Sequence, residues 1–313
     1  MTVLEQINEK FPIRRSAAQK ADFRKWATAH MAELGYRPKV EENDKGKHQN
    51  VVAGNPEKAA IVFTAHYDTP VCIGIPNLMI PRNFPVYLLY QALVVGGMLL
   101  LALAAGIGIG ALTKSRQMML LGYFGVYMAL LMLMMYGPAN KHNVNDNTSG
   151  VAALLETMAR IPAEQRGKVA FILFDNEEKG CRGSKAYARE HLQVQHTRLI
   201  VNLDCVGVGD HFIVSSSSLA RNTEEYPLLE RVLGGREGRE VHFFSSVTTR
   251  GNSDYRSFKC GVGVSAYHMT PGVGFITGDI HTWRDTEADQ ENIDFLAAAL
   301  AETAAQLPVE EAE

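Results

Sequence analysis

The residues of this 313-residue chain most able to do chemistry are histidines and carboxylates that directly follow apolar runs. Three such runs lead into these groups: residues 59–65 precede His66 and Asp68, residues 169–174 precede Glu177 and Glu178, and residues 199–203 precede Asp204. Asp146 and His281 lie in polar loops. Imidazole and carboxylate ligands without cysteine suit zinc or another first-row metal, and paired metals form a common hydrolytic site.

Each of these groups has a simpler explanation when it is taken alone. A single aspartate after a strand is usually a helix cap or a solvated loop residue. His66 could be a hydrogen-bonded core histidine, and Glu177-Glu178 could be a charged turn. Five such groups after successive elements are harder to explain in this way, because buried carboxylates need a partner and a divalent cation provides one. We therefore expect a metal site.

Asp68 has a separate predicted role beside His66. Residues two apart on an extended backbone point to the same side. A carboxylate in that position accepts the imidazole N–H and fixes the tautomer that presents the other ring nitrogen to a metal. We expect Asp68 to support the centre in this way.

Strands that alternate with helices must position these groups. Short strand-like runs occupy residues 39–41 and 50–53, ahead of the three buried runs, and helical patterns occupy residues 15–36, 149–161, 183–191 and 294–307. This alternation predicts an α/β fold with a largely parallel sheet covered on both faces. In such sheets ligands gather beyond the carboxyl ends of the strands, where the candidate metal ligands stand.

The ordered polar motifs resemble those of metallopeptidase family 28. They are HYD (66–68), NDNTSGVAALLE (145–156), NEEKGCRGS (176–184), NLD (202–204), NSDYRSF (252–258) and IHTWRDT (280–286). The family comprises dinuclear zinc aminopeptidases, and its relatives include glutaminyl cyclases and some carboxypeptidases. The resemblance spans roughly residues 50 to 300 outside an apolar insert. It implies a three-layer αβα sandwich with a mostly parallel mixed sheet.

The resemblance also implies a role for each candidate residue. Asp146 would bridge two divalent ions, zinc being favoured over cobalt or manganese. The remaining roles follow residue by residue: His66 and Asp204 complete one metal site, Glu178 and His281 complete the other, and Glu177 is the general base.

Two further residues are candidates for contacts with the substrate or its oxyanion. Many family members have an aromatic residue before the last histidine, where this chain has Ile280. Tyr267 or another donor would replace it, or the metals would stabilise the oxyanion. Asp254 lies in a motif typical of the family and is either a substrate contact or a turn or helix cap.

An apolar insert separates His66 from Asp146. Phe84–Leu112 and Met118–Tyr136 are uncharged, and only residues 113–117 lie between them. A helix needs about 20 apolar residues to cross a bilayer. We predict a transmembrane hairpin at 84–136, with spans of about 86–112 and 118–136, inserted into a catalytic domain made of residues 1–83 and 137–313. The alternative is a soluble apolar arm used for oligomerisation.

Small residues on the first span would allow close helix contact. Ala102, Gly106 and Gly110 stand at four-residue spacing on one face, which permits packing within the hairpin or between subunits of a homo-oligomer.

Charge and cysteine usage bear on partners and location. The net charge of −3 and the lack of a basic run argue against nucleic acid as the main partner. The four cysteines are scattered, as in a reduced compartment. The first 16 residues lack the apolar core of a signal peptide, and an even number of spans returns the chain to its starting side. We expect an integral membrane protein with a cytoplasmic catalytic domain. The positive-inside rule does not decide the orientation, because there are two basic residues at the hairpin tip, Lys114 and Arg116, and two on the domain side, Arg82 and Lys141.

These features predict a membrane-anchored, zinc-dependent exopeptidase that removes N-terminal residues from peptides. A carboxypeptidase, an amidase or a glutaminyl cyclase would use the same metal site. A membrane receptor or scaffold on an inactive peptidase fold is a third alternative, but it predicts the loss of a ligand or of the base, and none is missing. The insert begins shortly after Asp68 and ends shortly before Asp146, so the site would lie close to the membrane surface. The substrates would then be peptides that reach the site from or along the bilayer.

Overall fold

The apolar runs form strands of one mixed β-sheet in the computed structural model, which describes residues 1–308. The strands are β1 (Pro38–Asn43), β2 (His48–Ala53), β3 (Ile61–His66), β4 (Val169–Phe174), β5 (Leu199–Leu203), β6 (His211–Ser216), β7 (Glu240–Ser245), β8 (Gly261–Thr270) and β9 (Gly274–Ile276). Their order is β1-β2-β4-β3-β5-β8-β6-β7, and β9 pairs with β8.

The four central strands, β4, β3, β5 and β8, run parallel to one another. Their side chains alternate between two apolar layers, as the two-residue period of a strand requires. Ile61 and Phe63 of β3 lie in the larger core, and Val62 lies in the smaller core on the opposite face. The carboxyl ends of these strands therefore meet at one edge of the sheet.

Helices cover both faces of the sheet. Within residues 1–308 they are α1 (Val3–Lys10), α2 (Ala17–Glu33), α3 (Phe84–Thr113), α4 (Arg116–Tyr136), α5 (Gly150–Arg160), α6 (Arg182–Glu190), α7 (Leu192–Thr197), α8 (Tyr226–Gly234) and α9 (Gln290–Ala305). Side chains of α1, α2, α5, α8 and α9 belong to the larger core, and side chains of α6 and α7 belong to the smaller one. The predicted three-layer αβα sandwich is thus confirmed.

The insert forms two long helices, α3 and α4, that pack against each other. Both are long and apolar enough to cross a bilayer. In α3 only Ala102 and Gly106 are buried, and in α4 no residue is. The core helix of a soluble protein would be mostly buried, whereas only 11% of the most apolar segment of α3 and none of that of α4 is buried.

The structure also contains elements that the sequence interpretation overlooks. These are α1, α7, α8 and the strands β6 to β9. Strands β6 and β7 extend the sheet beyond β8, and β6 runs antiparallel to β8. The start of β6 therefore lies at the same edge as the carboxyl ends of the central strands.

Candidate metal centre

Two groups of ligand atoms converge at the carboxyl edge of the sheet and share Asp146. His66, the last residue of β3, has its Nε2 atom 3.4 Å from Asp146 Oδ1 and 3.6 Å from Asp204 Oδ1. His281 Nε2 lies 3.0 Å from Asp146 Oδ2 and 3.4 Å from Glu178 Oε2. The two oxygens of Asp146 thus face different histidines.

The spacing and chemistry of these donors fit divalent metals. Zinc binds imidazole and carboxylate atoms at about 2.0–2.2 Å, so two donors on a tetrahedral ion lie roughly 3.3–3.6 Å apart. The four distances above lie at or near this range. In addition, Glu178 Oε1 is buried and has no hydrogen-bond partner among the described residues. An unsatisfied buried carboxylate oxygen is costly unless a cation neutralises it.

Asp68 and Asp285 each hold two consecutive backbone amides of a ligand-bearing loop. Asp68 accepts hydrogen bonds from the N–H groups of Glu177 and Glu178, at 2.9 and 3.3 Å. Asp285 accepts from Asn145 and Asp146, at 2.7 and 3.1 Å. Both aspartates therefore fix loops that present a candidate ligand.

The contact between Asp68 and His66 differs in detail from the expected one. The Asp68 carboxylate lies 3.6 Å from His66 Nδ1, whereas its backbone carbonyl lies at 3.3 Å. The carboxylate oxygens turn instead toward the amides of the loop after β4. The backbone oxygen is thus the nearer acceptor for the imidazole N–H.

The loop at 144–149 is joined to the loop after β5 by the side chain of Asn147. Its amide nitrogen donates to the Leu203 carbonyl at 2.9 Å, and its oxygen accepts from the N–H groups of Gly150 and Cys205, at 3.1 and 3.2 Å. A Cβ on Gly150 would lie 2.3 Å from Asn147 Oδ1, so glycine is required there. This junction holds Asp146 next to Asp204.

Several residues around the centre have left-handed backbones. Asn176 (φ 57°) precedes the two glutamates, Cys205 (φ 55°) follows Asp204, and His281 itself has φ 60°. Non-glycine residues adopt this conformation rarely and at an energetic cost, and such residues cluster at functional sites. The three ligand-bearing loops are therefore bent in ways that the surrounding contacts must maintain.

The clustered charges shift the pKa values of the groups in the centre. Burial alone would lower the pKa of His66, but the carboxylates of Asp146, Asp204 and Asp68 outweigh it and raise that pKa well above its usual value. Burial and nearby carboxylates raise the pKa of both Glu177 and Glu178 well above the usual range. The excess of carboxylate over cation is the pattern that a bound cation would relieve.

The sequence model of peptidase family M28 matches residues 134–305, which is more than half of the chain. The chain belongs to peptidase family M28. The matched segment contains Asp146, Glu177, Glu178, Asp204 and His281 and begins after His66. Membership of this family supports a metal-dependent peptidase.

Solved structures with a similar fold agree with this family assignment. A Zn-dependent exopeptidase from Parabacteroides distasonis superposes with a TM-score of 0.57 at 15% identity, covering 98% of this chain and 96% of that chain. Porphyromonas gingivalis glutaminyl cyclase gives 0.55 at 16% identity, with 96% and 94% covered. Legionella pneumophila LapA aminopeptidase gives 0.56 at 14% identity, with 97% and 69% covered. At these identities the likeness shows the fold alone. No curated protein sequence matches the chain.

Tyr267 and Asp254 occupy different environments in this family M28 chain. Tyr267 is buried and lines a cavity of about 40 Å³ together with Asp204. Burial raises the pKa of its phenol, which therefore stays protonated and able to donate. Asp254 is fully buried, is not among the residues lining that cavity, and neither of its carboxylate oxygens has a partner among the described residues. Burial raises the pKa of Asp254 to about 7.

Arg14 is a buried residue of the site that the sequence interpretation does not include. Its side chain is fully enclosed and donates to Asn143 Oδ1 at 3.1 Å, to Thr148 Oγ1 at 3.0 Å, and to the carbonyls of Phe11 and Tyr67. It thus ties the loop after β3 to the loop that carries Asp146. No local pattern marks it, because its side-chain partners lie about 130 residues away. Asp285, by contrast, lies within the IHTWRDT motif and could have been singled out there.

Proposed function

We propose that the chain is a zinc-dependent aminopeptidase anchored in a membrane by the α3–α4 hairpin. The observation that carries the catalytic part is the position of Asp146, whose two oxygens face separate histidine and carboxylate sets. His66, Asp146 and Asp204 would hold one zinc ion, and Asp146, Glu178 and His281 would hold a second. When bound, the ions would lower the pKa of a water and polarise the scissile carbonyl.

Glu177 would act as the general base. A carboxylate oxygen of Glu177 lies within 4.8 Å of the donor atoms of His66 and Glu178, and its backbone N–H donates to Asp68. It accepts a proton from the attacking water and later donates it to the leaving nitrogen.

Tyr267 is the candidate donor to the developing oxyanion. Its phenol lines the same cavity as Asp204 and remains protonated because of burial. A hydrogen bond from this phenol would supplement the positive charge that the centre supplies.

Two experiments test the reaction: the substitution Glu177→Gln, and a comparison of peptides with free and acetylated amino termini. We expect Glu177→Gln to keep its metal content and to lose about 10²–10⁴-fold in kcat, because the amide accepts no proton. The wild-type chain should cleave peptides with a free amino terminus and leave their N-acetylated copies intact. Equal cleavage of the acetylated copies would exclude an aminopeptidase. Undiminished turnover by Glu177→Gln would exclude Glu177 as the base.

A glutaminyl cyclase is the second candidate, because proteins of that name are among the structures with the same fold. The four donor residues arranged around Asp146 could hold two metal ions, and two-metal sites are common in hydrolytic enzymes, which favours hydrolysis. A peptide that begins with glutamine separates the two reactions. Hydrolysis releases free glutamine, whereas cyclisation releases ammonia and leaves the chain length unchanged.

The membrane part of the proposal is supported by the exposed surface of the hairpin. Leu93, Leu100 and Leu112 are 66%, 68% and 87% exposed. Monomeric soluble proteins rarely leave such a surface uncovered, and a bilayer covers it in full. The two ends of the hairpin lie on the same side, and within residues 1–308 all four cysteines are free. We therefore propose that the catalytic domain is cytoplasmic.

A cavity at the start of α3 lies next to the smaller cavity that is lined by Asp204. It has a volume of about 580 Å³ and is lined by Phe84, Tyr87 and Gln91 of α3 and by the loop at 246–252. It shares Met79 and residues 249–252 with the smaller cavity beside Asp204. This arrangement supports peptides that approach along the bilayer as substrates.

Replacement of residues 84–136 by a short polar loop tests both membrane proposals. The variant should be soluble without detergent and should keep its kcat/KM on a short soluble peptide. Its kcat/KM on an apolar peptide embedded in vesicles should fall at least tenfold, because the α3 wall of the cavity is lost. An unchanged ratio between the two substrates would refute the proposed approach route.

The orientation has a test of its own. A thiol placed at the hairpin tip by Ser115→Cys should react with a membrane-impermeant reagent in intact cells, whereas Cys72 on the domain side should not. The reverse pattern would place the catalytic domain outside.

A further inference from the structure

Three metal-binding side chains converge outside the catalytic centre, at the start of β6 and β7. His211 Nδ1 lies 3.1 Å from His242 Nε2 and 3.4 Å from Glu240 Oε2. His242 Nε2 lies 3.6 Å from the same oxygen of Glu240. One atom from each residue therefore contributes to a nearly equilateral triangle of donors.

The parallel pairing of β6 and β7 produces this arrangement. His211 pairs with Glu240, and Ile213 pairs with His242. Because side chains on a strand alternate between faces, Glu240 and His242 point to the same side of the sheet as His211. The three donors are thus brought together by backbone pairing of two strands and not by a chance contact of mobile loops.

The donor spacing equals that of the catalytic centre. The three distances of 3.1, 3.4 and 3.6 Å fall in the same range as the 3.0–3.6 Å distances around Asp146. Both sets lie at or near the roughly 3.3–3.6 Å separation expected of two ligands on a tetrahedral zinc ion. A single hydrogen bond between the two imidazoles would leave Glu240 free to turn toward solvent.

Neighbouring groups hold the two imidazole rings in place. The ring of Phe275 on β9 packs edge-on against both, with centroid distances of 5.8 Å to His211 and 4.8 Å to His242. On the other side of the His211 ring, Nε2 lies 3.7 Å from Asp210 Oδ1. Metal-binding histidines usually direct their second nitrogen toward such an acceptor.

The cluster is open to solvent and separate from the catalytic centre. The side chains of His211 and His242 are 14% and 28% exposed, and that of Glu240 is 71% exposed, so an ion has a path of entry. The donor groups of the catalytic centre overlap through His66, Asp146 and Glu178, whereas this cluster shares no member with them.

We propose that His211, Glu240 and His242 form an additional metal site that binds one first-row divalent cation, zinc above all. Two imidazoles and one carboxylate suit such a cation, and three protein ligands leave a fourth position for water. The ion would join β6 to β7. Since His211 also pairs with Tyr267 across β6 and β8, it would brace the sheet edge beside the cavity that contains Asp204.

The number of metal ions per chain tests the proposal without reference to activity. The full chain and a His211→Ala/His242→Ala variant are purified in detergent, loaded with Zn²⁺, dialysed against a weak chelator and analysed for zinc. We expect the variant to hold one equivalent fewer than the wild-type chain. His268→Ala, a substitution of an exposed histidine on β8, should keep the wild-type number. Equal zinc content in the double variant and the wild-type chain overturns the proposal.

A second variant covers the case in which the double substitution prevents folding. Glu240 is too exposed for Glu240→Gln to unfold the chain. Loss of a group that only orients a metal ligand weakens metal binding about 10- to 100-fold. Because the Glu240 carboxylate would itself be a ligand, its loss should weaken binding of the additional ion at least tenfold. Titration with Co²⁺ measures this through the visible absorption of the bound ion. An unchanged titration for Glu240→Gln would show that the three residues do not bind a metal together.

Discussion

The catalytic domain and the hairpin reverse the usual distribution of polar and apolar residues in opposite ways. Around the metal centre, charged groups such as His66, Asp146 and Asp254 are almost wholly buried. In the hairpin, large apolar side chains such as Leu100 and Leu112 are mostly exposed. Either arrangement is unfavourable for a protein alone in water.

The two arrangements would each become favourable with a different binding partner. Buried carboxylates become favourable when cations compensate them, and exposed leucines become favourable when lipid covers them. Under the proposed function the two regions would depend on different external partners, and removal of one partner should leave the other region intact.

Metal removal should have the largest effect and should be confined to the catalytic domain. Without cations, Asp146, Glu178 and Asp204 repel one another in a buried site. We expect prolonged chelation to abolish peptide hydrolysis and to lower the Tm of the domain, and added Zn²⁺ to restore both. Vesicle flotation should show that membrane association is unchanged. Full activity in the metal-free chain, or release from vesicles, would contradict the separation.

Arg14→Met should have the next largest effect, because Arg14 is a buried charge whose partners are all within the protein. The substitution removes several charge-assisted hydrogen bonds and leaves buried acceptors unsatisfied. We expect the free energy of unfolding to fall by about 3 kcal/mol, even when the metals are present. Denaturant titration of the variant in which a polar loop replaces residues 84–136 measures this loss.

Arg15→Met is the matched control for that measurement. Arg15 is adjacent in sequence, and within residues 1–308 its guanidinium donates only to the carbonyl of Met135, a residue that the polar-loop variant lacks. The expected change is within about 0.5 kcal/mol, as for most surface substitutions. Similar losses for both arginines would mean that burial of Arg14 contributes little.

Much of the fold could be predicted because the strongest patterns are local. Uninterrupted apolar runs gave β3, β4 and β5, and the polar residues that follow them include the residues the structure brings together around Asp146. The two uncharged runs likewise predicted the limits of α3 and α4 closely. In each case the length of a continuous apolar run, bounded by polar residues, was sufficient.

The remainder depends on contacts that no local pattern contains. Strands β6 and β7 mix polar and apolar residues, so the approach of His211 to Glu240 follows only from the pairing of the two strands. Arg14 reaches groups about 130 residues away. Helix α1, by contrast, begins with a capping box formed by Thr2 and Glu5 that the sequence does display and that our interpretation overlooks.

The smallest predicted effect concerns the contact between α3 and α4. A Cβ on Gly106 would lie 2.8 Å from the carbonyl oxygen of Met119, whereas a Cβ on Gly108 would meet nothing within 4 Å. Gly106→Ala should therefore force the helices apart and destabilise the hairpin by about 1–3 kcal/mol. Gly108→Ala should be neutral or slightly stabilising, because alanine favours a helix more than glycine does.

Electrophoresis of the two variants in SDS tests this prediction. The mobility reports whether the two helices remain packed against each other. In a bilayer, lipid would cover the outer face of the hairpin but would supply no hydrophobic drive between its helices. If the hairpin is a membrane element, close backbone contact at Gly106 must hold the helices together. Equal mobility of Gly106→Ala and Gly108→Ala would show that the pairing does not depend on this contact.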